Sequence, residues 1–153
     1  MRISIDVFGD KEVERTLVRF GERANNMRPA FEDLHKRFLQ MNKRQFNTQG
    51  ASGSGGWKAL KPATVAFKER NGLDPRIMHA SGRLRSSLTG SGQGAIKRVT
   101  NDEVFFGTSV EYAGPHQKPK SGNPLPRRKV IEFTETEKRE WTKVIQRQIV
   151  GRG

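Results

Sequence analysis

The stretch Ala95-Ile96-Lys97-Arg98-Val99-Thr100-Asn101-Asp102-Glu103-Val104-Phe105-Phe106-Gly107-Thr108 decides the fold class. Its two halves are rich in β-branched and aromatic residues and meet at Asn101-Asp102, a dipeptide that suits a tight turn. It reads as a hairpin, Ala95–Thr100 paired with Glu103–Thr108, with Val104 and Phe106 facing the core. Helical periods flank it on both sides, at a distance. A small antiparallel sheet in the middle of a chain with helices at its ends is an α+β architecture.

Upstream, Val13, Leu17, Phe20, Ala24 and Met27 recur at spacings of four and three, the single apolar stripe of an amphipathic helix. Asp10 is placed to cap it. Arg28-Pro29 marks a joint, because proline suits a helix's first turn and the residue before it avoids helical angles. A second stripe follows through Phe31, Leu34, Phe38, Met41 and Phe46, giving a helix over 29–47. Together the two form a long kinked rod. Before them, Ile3, Ile5 and Val7 alternate with Ser4 and Asp6 as in a half-buried strand over 1–8.

Residues 47–56 are Gly/Ser-rich and read as a flexible loop. Pro62 opens a short helix through Arg70. Ser81 is placed to cap another, whose Leu84 and Leu88 point inward. Downstream of the hairpin, residues 113–126 hold four prolines and two glycines and read as an extended loop. Residues 127–133 suit a short strand. Thr134-Glu135-Thr136-Glu137 is a capping box, and the helix after it carries Trp141, Val144, Ile145 and Ile149 on one face before stopping at Gly151. The 153 residues fit a single domain with two loose loops, 47–56 and 113–126.

Composition narrows the chemistry. Apolar residues are 33% and charged residues 29%, so the core is thin, as in a subunit that completes its burial against neighbours. With 29 Lys plus Arg against 16 Asp plus Glu, the net charge is +13. The excess peaks in residues 51–100, which hold nine basic and two acidic residues, so a polyanion or an acidic protein surface docks there first. Cysteine is absent, which removes disulfides, thiolate metal sites and cysteine nucleophiles. No window has the length and apolarity of a signal peptide or a membrane span, and the chain reads as soluble and cytoplasmic when made.

No catalytic constellation emerges. His35, His79 and His116 lie in separate segments, without the pairing of a zinc-protease helix, and each reads as structural or solvated. The glycines at 50–56 lack the Gly-Lys-Ser/Thr ending of a phosphate loop, and no Gly-x-Ser-x-Gly elbow occurs. No metal or cofactor is called for. The basic residues Lys118, Lys120, Lys129, Arg83 and Arg85 form a candidate contact surface. Aromatic residues do not alternate with them, as a single-strand stacking platform requires. Lys58, Lys61, Lys68 and Arg70 flank Trp57 and Phe67, but helical amphipathicity accounts for that equally well.

From Phe46 to Arg128 an ordered set of residues carries a family likeness. It runs Phe46, Gly55-Gly56-Trp57-x-x-Leu60, Thr64, Lys68, Ser81-Gly82-x-Leu84-x-x-Ser87-Leu88, Val104-x-Phe106-Gly107, Tyr112-Ala113-x-x-His116-Gln117 and Pro126-Arg127. The set resembles the tailed-phage virion morphogenesis family, the tail completion, neck and head–tail joining proteins. It departs at Lys118-Pro119, where glycine is expected after the His-Gln pair, and at Arg128-Lys129, which intervene before Val130-Ile131. The resemblance implies a non-enzymatic virion component, made in the host cytoplasm, that forms a six-fold or twelve-fold ring at the head–tail junction. Its partners would be copies of itself, the connector or head-completion proteins, and the tail tube or tail terminator, with possible non-specific contact to packaged DNA and none to membranes. Trp57, Tyr112, His116, Gln117, Pro126, Arg127 and Arg128 are the interface candidates. The alternatives are a small basic DNA-binding protein, and a tail terminator or minor tail protein.

Overall fold

The computed structural model describes residues 11–122 and 124–151. Eight elements follow in order: α1 (Lys11–Asn25), α2 (Arg28–Asn47), α3 (Pro62–Arg70), α4 (Arg83–Thr89), β1 (Ala95–Val99), β2 (Val104–Thr108), α5 (Ala113–Gln117) and α6 (Glu135–Val150). The sheet has two antiparallel strands, β1 paired with β2, and the fold is α+β as the hairpin indicated. The strand expected over 1–8 and the Asp10 cap lie outside the described residues, as do the side chains of Val13 and Leu17.

The chain forms two compact units. Among the described residues the first comprises 11–36, 97–105 and 135–151, and the second comprises 37–96, 106–122 and 124–134. In the first, α1 packs on α6. Ala24, Met27, Ala30, Leu34 and Val144 make its core. The joint at Arg28-Pro29 is where one helix stops and the next begins, and the Met27 amide freed there donates to the Asn101 carbonyl at 2.8 Å. Polar clasps close the unit: Arg23 Nη1 donates to the Val150 carbonyl at 2.6 Å, Gln148 Nε2 to the Asn26 carbonyl at 2.8 Å, and Lys97 Nζ to Glu32 at 2.7 Å. The hairpin turn is held by Thr100, whose amide donates to the Glu103 carbonyl and whose hydroxyl donates to Asp102.

In the second unit the core is Phe38, Met41, Phe46, Trp57, Leu84, Leu88, Val110 and Val130. Phe38 packs against Phe106 with ring centroids 4.7 Å apart, which places the inward face of β2 where the alternation put it. The helical stripe carries two polar residues the periodicity did not single out, Asn42 and Gln45, both buried. Asn42 donates to the Phe38 carbonyl one turn back at 2.8 Å.

Four local readings change. The segment 47–56 is a run of hydrogen-bonded turns: Gly50 N donates to the Gln45 carbonyl at 2.8 Å and Trp57 N to the Gln49 carbonyl at 2.7 Å. Ser81 does not cap α4. Gly82 holds the cap position at φ +79, with no side-chain bond, and its amide closes a turn on the His79 carbonyl at 2.7 Å. The proline-rich segment contains α5, whose final turn is closed by Lys118 N on the Gly114 carbonyl. Residues 127–133 form no strand: the Arg128 amide bonds to the His116 carbonyl in α5, and the Lys129 carbonyl and the Val130 and Ile131 backbone bond to side chains.

No described helix is long and apolar enough to cross a membrane.

Candidate functional site: a clasp beside a basic cleft

The side chains that take the place of a strand partner are Gln45, Trp57 and Gln117. Gln117, at the end of α5, accepts at Oε1 from the amides of Val130 (2.8 Å) and Ile131 (3.0 Å) and donates from Nε2 to the Ile131 carbonyl at 2.6 Å. One residue earlier, the Lys129 carbonyl accepts from Gln45 Nε2 at 2.9 Å and from Trp57 Nε1 at 3.0 Å. Trp57 stands edge-on to Phe46, centroids 5.4 Å apart, so its indole fills the core while its N–H is spent on the clasp. Gly50 makes room: it sits at φ +89, and a Cβ there would run into the indole.

Arg128 extends the clasp. Its guanidinium donates from Nε and Nη2 to the Lys58 carbonyl at 3.1 and 2.9 Å, and its amide donates to the His116 carbonyl at 2.9 Å. It is 5% exposed. Arg127 Nε reaches the Gln117 carbonyl at 3.2 Å from an exposed position. Lys129 bridges to Glu132 at 2.7 Å and to Ser54 Oγ at 3.1 Å. Burial raises the Glu132 carboxyl, and the bonds from Lys129 and Ser54 outweigh it, leaving the group below its ordinary value.

On one side of this clasp lies a cleft of about 520 Å³. Tyr112, His116, Pro126 and Arg128, four of the sequence candidates, line it. Lys58, Lys61 and Lys68 join them from the chain after Trp57 and from α3, and Met78 and His79 from the turn that follows. Among the described residues no Asp or Glu lines it. Lys68 is buried, its ammonium donating to the carbonyls of Asp74 (3.1 Å) and Arg76 (2.8 Å). Burial lowers its pKa, partly opposed by the Asp74 charge and assisted by Arg128. Burial and then the Arg128 charge lower His116. Burial alone lowers Arg128. The Arg76 guanidinium beside Asp74 holds its carboxyl well below the usual carboxylate range.

The remaining candidates lie elsewhere. Lys118 and Lys120 are exposed and do not line the cleft. Arg83 and Arg85 belong to α4, where Arg83 faces Glu111 at 3.8 Å. The basic surface expected from these residues is therefore not one patch with the cleft. The cleft residues that the sequence left in the background are Lys58, Lys61 and His79, while Lys68 entered only as a position of the motif order. The signal for the lysines was present, the local charge excess around Trp57, but an amphipathic helix explained it as well.

Among the described residues no group of three or more His, Asp or Glu is arranged to hold a metal ion. The clasp and cleft offer hydrogen bonding, apolar surface and positive charge, which is the chemistry of association. The ordered motif set that makes them belongs to a recognised family: the model for the phage virion morphogenesis family matches residues 8–150. The chain is a member of that family. No curated protein and no solved structure gives a significant match. In this phage virion morphogenesis protein, then, the motif residues Trp57 and Gln117 build the clasp together with Arg128, which stands where the motif departs, while Tyr112, His116 and Pro126 contribute to the wall of the adjoining cleft.

Proposed function

We propose that this virion morphogenesis protein acts as a structural subunit of a ring at the head–tail junction, required for joining filled heads to tails, with no catalytic role. The observation that carries the reading is the family match over residues 8–150. The surface supports it: Phe67, Phe105, Tyr112 and Leu125 are large apolar side chains left exposed on a chain with a thin core, as in subunits that bury further surface on assembly. Lateral contacts between copies would cover such surface, and the positive charge would steer docking onto an acidic neighbouring ring.

The test is electron microscopy of particles from a phage unable to make this chain. The reading expects DNA-filled heads and finished tails lying unjoined. Over-long or ragged tails would move the protein to a terminator or minor tail role, and normal joined virions would overturn the assembly reading. The net charge of +13 favours one second reading, a DNA-binding protein. That reading requires duplex binding that weakens steeply with salt, with a log–log slope of several units, whereas the assembly reading expects little duplex affinity at physiological salt.

A further inference from the structure

The cleft beside the clasp has three features that packing alone does not require. First, its charged lining is cationic, and among the described residues no acid lines it: Lys68 and Arg128 are buried, and the bonds they donate go to carbonyl oxygens of Asp74, Arg76 and Lys58, with the Asp74 carboxylate outside the lining offsetting only part of the Lys68 charge. At the rim, Lys58 and Lys61 form no ion pair among the described residues. Buried cations whose hydrogen bonds go to neutral carbonyls leave a site that favours an incoming anion.

Second, both histidines in the wall carry a nitrogen without a partner. His79 is 5% exposed; its Nδ1 lies 3.0 Å from the Ile77 carbonyl and its Nε2, buried, bonds to nothing. With Nδ1–H donating to that carbonyl, Nε2 is left as an acceptor that a ligand N–H or O–H can meet. His116 Nδ1 is likewise buried and unpartnered. Buried polar atoms are nearly always satisfied, so two in one cleft call for an explanation.

Third, the backbone around His79 is strained. Met78 and Ala80, the residues on either side, hold φ of +62 and +42. Side-chain-bearing residues rarely adopt such angles, and where they do the strain clusters at binding and switch sites. The turn is pinned by the Asp74–Ala80 bridge and by the Lys68 ammonium beneath it, and Met78, His79 and Ala80 all face the cleft.

We propose that this cleft is a recognition site for an acidic, apolar peptide segment of another virion protein. A carboxylate side chain of that segment occupies the positive end, where the Lys61 ammonium meets it, the His79 Nε2 lone pair accepts an N–H of the segment, and a neighbouring apolar side chain covers Met78 and Leu125. A peptide fits better than nucleic acid. The cleft is concave and largely apolar between its charges, while the two deepest cations have donors already committed to carbonyls and are not displayed for a run of phosphates. Charge complementarity selects an acidic partner, and the apolar floor selects one with Leu, Ile or Phe beside the acid. The proposal holds wherever in the particle the subunit sits, so it stands or falls apart from the ring reading.

The probe is a fluorescein-labelled peptide of alternating Leu and Glu/Asp residues, titrated with the full chain and read by anisotropy. Its control is the same peptide with Gln and Asn for the acids, and a single-stranded oligonucleotide of equal charge serves as competitor. Saturable binding is expected, weakened about tenfold or more in the amide control. Lys61→Glu, at an exposed rim position that leaves the core intact, is expected to reduce affinity by a similar factor. His79→Phe, which keeps the ring, is expected to reduce it several-fold, with folding of both variants verified by circular dichroism. Three results would overturn the proposal: no binding up to about 1 mM, binding that is indifferent to the acids or to Lys61→Glu, or binding of the oligonucleotide in preference to the peptide.

Discussion

Gln117 holds Ile131 from both ends of one amide. Its Nε2 donates to the Ile131 carbonyl at 2.6 Å while its Oε1 accepts from the Ile131 amide at 3.0 Å. A side chain thus does for one residue what a neighbouring strand does in a sheet, and it extends the pairing to the Val130 amide. Removing it strands backbone groups beside Val130, which is almost fully buried. Gln117→Ala is expected to cost about 3 kcal/mol, since three bonds are lost and buried donors are left unsatisfied. Gln117→Glu, which keeps the acceptor and loses the donor, is expected to fall between wild type and Gln117→Ala. Urea unfolding midpoints check both; an unchanged midpoint for Gln117→Ala would show that the clasp contributes nothing.

Trp57 separates two contributions that substitutions can resolve. Trp57→Phe removes the bond to the Lys129 carbonyl but keeps an aromatic ring near Phe46, and is expected to cost about 1–2 kcal/mol. Trp57→Ala also empties the site and is expected to cost about 3–5 kcal/mol. Equal costs would mean that the indole N–H, rather than its bulk, matters. Thermal and urea unfolding give the comparison.

Gly50 and Gly55 both sit in the left-handed region, at φ +89 and +110, yet their surroundings differ. An added Cβ at Gly50 meets the Trp57 ring, whereas at Gly55 it meets open space. Gly55→Ala is expected to cost about 1 kcal/mol from backbone strain alone. Gly50→Ala adds a core collision and is expected to cost about 2–4 kcal/mol. If the two variants unfold alike, the Trp57 packing does not constrain this turn.

Acid is expected to weaken the fold beginning near neutrality. His35 and His116 both have pKa values lowered from 6.5, mainly by burial. Below that value the unfolded chain binds protons that the folded chain does not, so acid favours unfolding. Their contribution is complete above about pH 6.5 and is lost progressively as the pH falls. Asp74, depressed by Arg76, acts in the same direction but only below its ordinary value of 3.8. His116→Gln is expected to flatten the slope of stability below about pH 6.5. An unaltered slope would assign that region to His35 alone.

Much of the architecture was legible because local signals agreed with one another. The stripe Leu34, Phe38, Met41 and Phe46 predicts the buried face of α2, Pro62 opens α3, and Asn101-Asp102 turns the hairpin. Each rests on a period or a turn residue that works over a few neighbours. Where the readings changed, a distant group had replaced a local one. Ser81 is a good cap in isolation, but the turn through His79 and Ala80 hands the cap position to Gly82. Residues 127–133 have strand composition, but Gln45, Trp57 and Gln117 occupy the places of a partner strand.

The candidate site divides in the same way. Trp57 and Gln117 stood out by their place in the motif order, which pointed to the family that the match over residues 8–150 shows. The cleft was readable only in part. Tyr112, His116, Pro126 and Arg128 were candidates and Lys68 a motif position, but Lys58, Lys61 and His79 look like an ordinary amphipathic stretch and a lone histidine. Tertiary structure alone decided that they share a concavity with Tyr112 and Arg128, that no acid joins them, and that His79 keeps a buried nitrogen free. The sequence by itself determined every helix but α5, the hairpin and the family likeness, because periodicity, turn chemistry and motif order are properties of neighbours along the chain. Charge balance and hydrogen-bond satisfaction are sums over neighbours in space, and only the folded chain sets those.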